Sequence, residues 1–192
     1  MKLKVIIAST RPGRKGPIMA EWFENYAREN SEFDVETLDL KEIDLPLLDE
    51  ANHPMAAKYE QEHTKKWSGM IDEGDAFVVV TPEYNGGEPA ALKNAMDYLN
   101  SEWQGKVMGF LSYGGVSAGT RAVQSIKLPA TTLGMMPIAQ AVHVPFYWEF
   151  INKEGVFEPN EITEKAADVM LTKLSQWAEA LKGMREKIFV QA

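Results

Sequence analysis

The chain has 192 residues, 45% of them hydrophobic and 25% charged, the balance of a water-soluble globular protein rather than a disordered or fibrous one. A single domain over residues 1–192 is expected, and a chain of this length buries roughly 70% of the surface its unfolded form exposes. It contains no cysteine, which excludes disulfides, thiolate nucleophiles and iron–sulfur clusters, and His53, His63 and His143 have no metal-ligand spacing. Lys plus Arg number 20 against 28 Asp plus Glu, and the net charge of −8 disfavours nucleic acid as a partner. The opening MKLKVIIASTRPGR holds too short an apolar run for a signal-peptide core or a bilayer span, so the chain reads as cytoplasmic, with no membrane partner.

In chain order, Lys2 to Ser9 is a short β-branched run bounded by Pro12 and Gly13, a buried strand. Ile18, Met19, Trp22, Phe23 and Tyr26 then recur at helical spacing, with Pro17 in the first turn, where a missing N–H costs nothing. Phe33 to Leu40 reads as a second strand, Asp44 to Pro54 as a long loop and Ala56 to Asp72 as a second helix. Asp75 to Thr81 is apolar on both faces, as a central parallel strand must be. A helix carrying Leu92, Ala95, Met96 and Leu99 follows, then a strand Val107 to Ser112, a helix Gly119 to Leu133, a fifth strand Pro137 to Val144 and a closing helix Glu161 to Lys182. Five βα units call for an α/β fold, a parallel sheet with helices on both faces. Ligands of such sheets bind at the carboxyl ends of the strands, where the strand order reverses.

The segments after strands one, three and four are therefore the candidate site. The first, Ser9 to Pro17, sets two hydroxyls and three cations before a helix start in an otherwise acidic chain. Unpaired N–H groups and the positive dipole end of that helix make the position suited to a phosphate dianion. The loop has neither G-x-G-x-x-G nor G-x-x-x-x-G-K-[ST], which argues against a dinucleotide turn or a nucleotide-hydrolysing loop. Lys65, Lys66, Arg185 and Lys187 lie on helix faces and read as solvated charges. The second loop, Thr81 to Gly87, combines a stiffening Pro82 with Tyr84, Asn85 and two glycines, a flat face and an amide on a tight turn. The third, Ser112 to Gly119, is glycine-rich and lets a flat ligand approach bare backbone. A phosphate anchor, a planar contact and a backbone edge together describe flavin mononucleotide (FMN).

The motifs A-S-T-R-P-G-R-K-G-P at Ala8 to Pro17, T-P-E-Y-N-G-G at Thr81 to Gly87 ahead of A-L-K-N-A-M-D-Y-L at Ala91 to Leu99, and S-Y-G-G at Ser112 resemble the NAD(P)H-dependent FMN reductases, over nearly the whole chain. The resemblance implies a flavodoxin-like three-layer sandwich around a five-stranded parallel sheet of order 2-1-3-4-5. It implies that Ser9, Arg11 and Arg14, with the backbone through Gly16, Pro17 and Ile18, hold the phosphate. Pro82, Glu83, Tyr84 and Asn85 would contact the isoalloxazine and ribityl chain, and Ser112, Tyr113, Gly114 and Gly115 the pyrimidine edge. Ala8 departs from the glycine that members often carry, and Arg121 matches either a subunit contact or a hold on the pyridine nucleotide.

The implied activity is a ping-pong cycle in which NADPH or NADH reduces bound FMN and a small-molecule electron acceptor, a flavin, quinone or azo compound, then takes the electrons. A flavin carries this chemistry itself, so no acid–base pair and no catalytic side chain are expected, and His143 reads as a packed strand residue. The rival reading is a flavodoxin-like electron carrier without a nicotinamide site, whose phosphate loop would lack the cations present here. The resemblance also implies a homodimer or homotetramer. Two apolar groups could serve it: Leu92, Met96 and Tyr98 leading into Trp103, and the run Phe146, Tyr147, Trp148.

Overall fold

The computed structural model describes residues 1–190. Its elements are β1 (Lys2–Ile7), α1 (Gly16–Asn30), β2 (Asp34–Asp39), α2 (Leu40–Ile43), α3 (Glu62–Asp72), β3 (Ala76–Pro82), α4 (Ala90–Asp97), β4 (Val107–Gly114), α5 (Thr120–Thr132), β5 (Met136–Pro137), β6 (Val142–Pro145) and α6 (Glu161–Val190), with 3-10 turns at Pro54–Ala56, Ser101–Trp103 and Tyr147–Phe150. The strands form one parallel sheet in the order β2-β1-β3-β4-β5, and β6 also pairs with β4. Alternation divides each inner strand between two cores. Leu3, Val5, Ile7, Ala76, Val78 and Val80 meet α1 and α6, while Ile6, Phe77, Val79 and Phe110 meet α3, α4 and α5. The result is the expected three-layer flavodoxin-like sandwich, and the order reverses between β1 and β3. No helix among the described residues is long and apolar enough to cross a membrane.

The expected fifth strand is two short strands. Met108 faces Pro137 but Leu111 faces Val142, so the outer chain gains two residues between the pieces. Pro137 has no N–H for the ladder, and the chain leaves the sheet after the Ile138 N–H bonds the Met108 carbonyl at 2.9 Å. The gain is even, so the pleat resumes with Val142 and Val144 buried. The expected second helix starts later than Ala56. Ala57 lies in the left-handed region (φ 47°), and the Glu50 carboxylate takes the N–H groups of Glu60 and Gln61 at 2.9 and 3.0 Å, fixing the start of α3 at Glu62.

Two surface readings change. Arg185 is buried, and its Nη2 lies 2.7 Å from Asp75 Oδ1; the Lys187 side chain lies outside the described residues. Leu92, Met96, Tyr98 and Trp103 are all core residues, so this group offers no face to a second subunit. Phe146 and Trp148 remain exposed.

Candidate functional site

The first loop runs from the end of β1 into α1. Helix α1 begins with Lys15 as N-cap and Pro17 in its first turn, has no side-chain cap, and carries no acidic residue in that turn. Its leading N–H groups are thus left for an external acceptor. Gly16 is seated on Ser9: a Cβ there would lie 2.5 Å from Ser9 Oγ, 3.0 Å from Ile7 Cγ2 and 3.2 Å from Tyr113 Oη. Only glycine lets the helix start approach the buried serine this closely. Tyr113 Oη donates to Ser9 Oγ at 3.4 Å, and burial pushes the Tyr113 phenol well above its ordinary range, so it stays a neutral donor. Ile18 continues the first turn, half-buried.

The two arginines of this loop are not equivalent. Arg14 forms a bidentate pair with Asp39 at the end of β2, at 2.5 and 2.6 Å, and donates to the Ser9 carbonyl at 2.8 Å. Its guanidinium is committed to joining the β1 and β2 ends, which differs from the expected phosphate contact. Arg11 is exposed, touches only the Pro12 carbonyl at 3.3 Å, and has no carboxylate partner among the described residues.

The second loop leaves β3 at Pro82. Tyr84 and Gly87 exchange both backbone hydrogen bonds, at 3.0 and 3.1 Å, around Asn85 (φ 52°) and Gly86 (φ 85°). Two central residues with positive φ define a type I′ turn, for which Asn-Gly is the favoured pair. Glu83 does not project from this turn as a free acid. Its nearly buried carboxylate accepts from Ser117 Oγ (3.2 Å), the Arg121 N–H (3.2 Å) and Arg121 Nε (2.5 Å). Gly119, the N-cap of α5, has no side chain to cap that helix, and Glu83 supplies the cap from the neighbouring loop. Arg121, open in its assignment from sequence, here clamps the second loop to the third.

The third loop follows β4. Ser112 Oγ donates to the Ala118 carbonyl at 2.7 Å, and the His143 Nδ1 lies 2.7 Å from the same oxygen. The serine has one proton, so the imidazole donates from Nδ1 to make both bonds. His143, expected to be packed within a strand, sits on a solvent-facing position of β6, and partial desolvation on the side of its ring that meets Ser112, with Lys127 nearby, holds its pKa below the ordinary imidazole value. Gly119 (φ 76°) lies where a Cβ would be 3.0 Å from the Tyr113 carbonyl, which closes the loop tightly.

These loops meet. Arg11, Arg14, Lys15, Pro82, Glu83, Tyr84, Tyr113, Gly114 and Tyr147 line one cleft of about 120 Å³ at the carboxyl ends of β1, β3 and β4. Of the other expected site residues, Ser9, Gly16 and Ser112 are buried behind this lining, and Asn85 and Gly115 sit beside it on the second and third loops without lining it. Tyr147 was not expected. It packs edge-on against Tyr113 with centroids 5.3 Å apart, and only its place in an aromatic run hinted at a role. A larger concavity of about 620 Å³ lies at the sheet edge between β2 and α3. Its lining sets Glu36, Asp39, Glu42 and Glu62 against Lys66 and His63, an acidic excess that disfavours a phosphate, so the switch-point cleft is the better candidate. A ribityl phosphate fits the latter: an uncapped helix start, a buried hydroxyl and an unpaired guanidinium converge there.

The sheet order and the cleft at its reversal define the class, a flavodoxin-like α/β protein. The sequence matches the family model for NADPH-dependent FMN reductase over residues 1–149. A Schizosaccharomyces pombe protein named NAD(P)H-dependent FMN reductase is 40% identical over 158 residues, 75% of this chain and 79% of that one. A Nectria protein named NAD(P)H-dependent FMN reductase is 32% identical over 201 residues, covering 97% and 91%. Among solved structures, the flavoenzyme NAD(P)H:(acceptor) oxidoreductase FerB of Paracoccus denitrificans shares the fold, with a TM-score of 0.72, 22% identity and coverage of 93% and 97%. The chain belongs to the NADPH-dependent FMN reductase family and is an NAD(P)H-dependent flavin oxidoreductase with FMN as its flavin.

Proposed function

We propose that FMN lies across the switch-point cleft, its phosphate at the start of α1, and that the site serves NAD(P)H and a flat second acceptor in turn. The isoalloxazine, when bound, supplies both hydride acceptance and electron donation, so the polypeptide need only bind, orient and shield. Ser9 Oγ, the leading N–H groups of α1 through Ile18 and the Arg11 guanidinium receive the phosphate. Arg14 acts at one remove, bracing the loop through Asp39 and the Ser9 carbonyl. Pro82, Tyr84 and Asn85 present the rigid turn to the ring and ribityl chain, while Glu83 fixes that turn against the third loop. Tyr113, Gly114 and Gly115 offer the opposite edge, and Tyr113 keeps Ser9 in place. The same reading has the protein acting in the cytoplasm as a homodimer or homotetramer.

The observation that carries this reading is the uncapped start of α1 pressed on buried Ser9 beside an unpartnered Arg11. A charge-assisted bond is worth about 1.5–3 kcal/mol, so Arg11→Ala should weaken FMN binding by about tenfold to a hundredfold. Riboflavin, which lacks the phosphate, should bind wild type and variant alike. Equal loss for both ligands, or for neither, would remove the phosphate from this loop. An electron carrier of the same fold is separated by anaerobic addition of NADPH, which should bleach the bound flavin rapidly.

A further inference from the structure

We propose that Trp148, held by Phe146 and Tyr147, is the specificity-determining wall on the acceptor side of the cleft and selects planar polycyclic aromatic acceptors. The inference rests on the placement of the flavin across the three loops. Beyond β6 the chain turns sharply at Phe146, whose φ of 47° is a backbone state that bulky side chains rarely adopt. The Phe146 N–H reaches the Gly115 carbonyl at 3.4 Å, which ties the turn to the third loop.

This kink sets a row of rings edge to face. Tyr113 meets Tyr147 at 5.3 Å and 79°, Tyr147 meets Trp148 at 5.3 Å and 74°, and Phe146 meets Trp148 at 5.7 Å and 77°. The row begins at the base of the cleft, where Tyr113 contacts Ser9, and ends at the surface. Trp148 is 53% exposed and Phe146 40%, although the indole is the largest apolar side chain available for burial. A methyl group at Gly115 would find the Trp148 Cη2 at 4.0 Å as its sole neighbour. The indole edge therefore bounds the space over the third loop, and two edge-on neighbours fix its orientation without covering it. Such a surface is prepared for stacking. A planar acceptor that overhangs the cofactor gains this contact, and a compact ion gains nothing from it.

The test uses the FMN-loaded protein and two acceptors, anthraquinone-2-sulfonate and ferricyanide. Calorimetry of the quinone on oxidised protein without NAD(P)H should show Kd rising about fivefold to tenfold in Trp148→Ala, as loss of an aromatic pair predicts, and recovering in Trp148→Phe. Ferricyanide kcat/KM should stay within about twofold of wild type. An unchanged quinone Kd overturns the proposal. Equal loss with both acceptors, or a change of oligomeric state in Trp148→Ala, also overturns it, because the indole would then serve the fold or a subunit contact. Failure of the underlying placement is read separately, as wild-type protein that takes up no FMN.

Discussion

At the scale of single residues, the loops around the cleft use their charges on one another before any ligand arrives. Arg14 serves Asp39, and Glu83 serves Arg121 and Ser117, which leaves Arg11 and Lys15 as the first-loop cations without an acidic partner among the described residues. Sequence shows the residue types in each loop but not these pairings. Asp39 stands 25 positions from Arg14, and Arg121 stands 38 from Glu83, so the family resemblance carries both arginines of the first loop over as phosphate ligands with nothing local to separate them. The clamp has a measurable asymmetry. Glu83→Ala strips three donors of their acceptor and should cost about 1–3 kcal/mol in urea unfolding. Arg121→Ala removes only an exposed partner and should cost less than about 1 kcal/mol. The double variant should fall short of the sum; equal costs that simply add would show that the loops are not joined through this carboxylate.

Among elements, the legible ones are those whose local pattern and tertiary role agree. β1 and β3 are apolar on both faces because helices cover both, and each reads as a strand from its sequence. The start of α3 was misplaced because Ala56 to Gln61 has unobjectionable helix composition, and only the Glu50 carboxylate and the turn at Ala57 decide otherwise. Long-range capping also settles the end of α4. Trp67 Nε1 donates to the Ala95 carbonyl at 2.8 Å, and Trp103 Nε1 to that of Met96 at 3.2 Å. These buried indoles supply donors that the helix lacks at its own terminus. Trp67→Phe keeps most of the apolar contact but leaves a buried carbonyl unpaired, so thermal and denaturant unfolding should show a loss of about 1–3 kcal/mol. A variant as stable as wild type would mean that this bond contributes nothing net.

Across the whole molecule the two ends of the sheet differ. At the carboxyl ends the cleft keeps Arg11 open; at the amino ends the buried cations are satisfied internally. Lys4 meets Glu36 and Glu73, Arg185 meets Asp75, and Lys106 Nζ donates to the carbonyls of Ile71 and Asp72 at 2.8 Å each. Burial pulls the Lys106 ammonium from 10.5 down to about 8. The sign follows directly: between about 8 and 10.5 the unfolded chain holds a proton that the folded chain has released, so folding is favoured as pH rises through that window. Relative to Lys106→Met, the wild type should gain up to about 3 kcal/mol from pH 7.5 to 10.5, read from paired urea titrations. Parallel stability curves would refute the shift.

The outer edge of the same sheet limits how this chain can change length. Because the offset opposite β4 grows by two residues between Pro137 and Val142, loss of one residue there would present Val142 and Val144 to water and turn His143 toward the interior, releasing Ser112 from its imidazole. Insertions and deletions at this edge are therefore tolerated in pairs, and a lone frame step would unlatch the glycine loop from the far side of the strand.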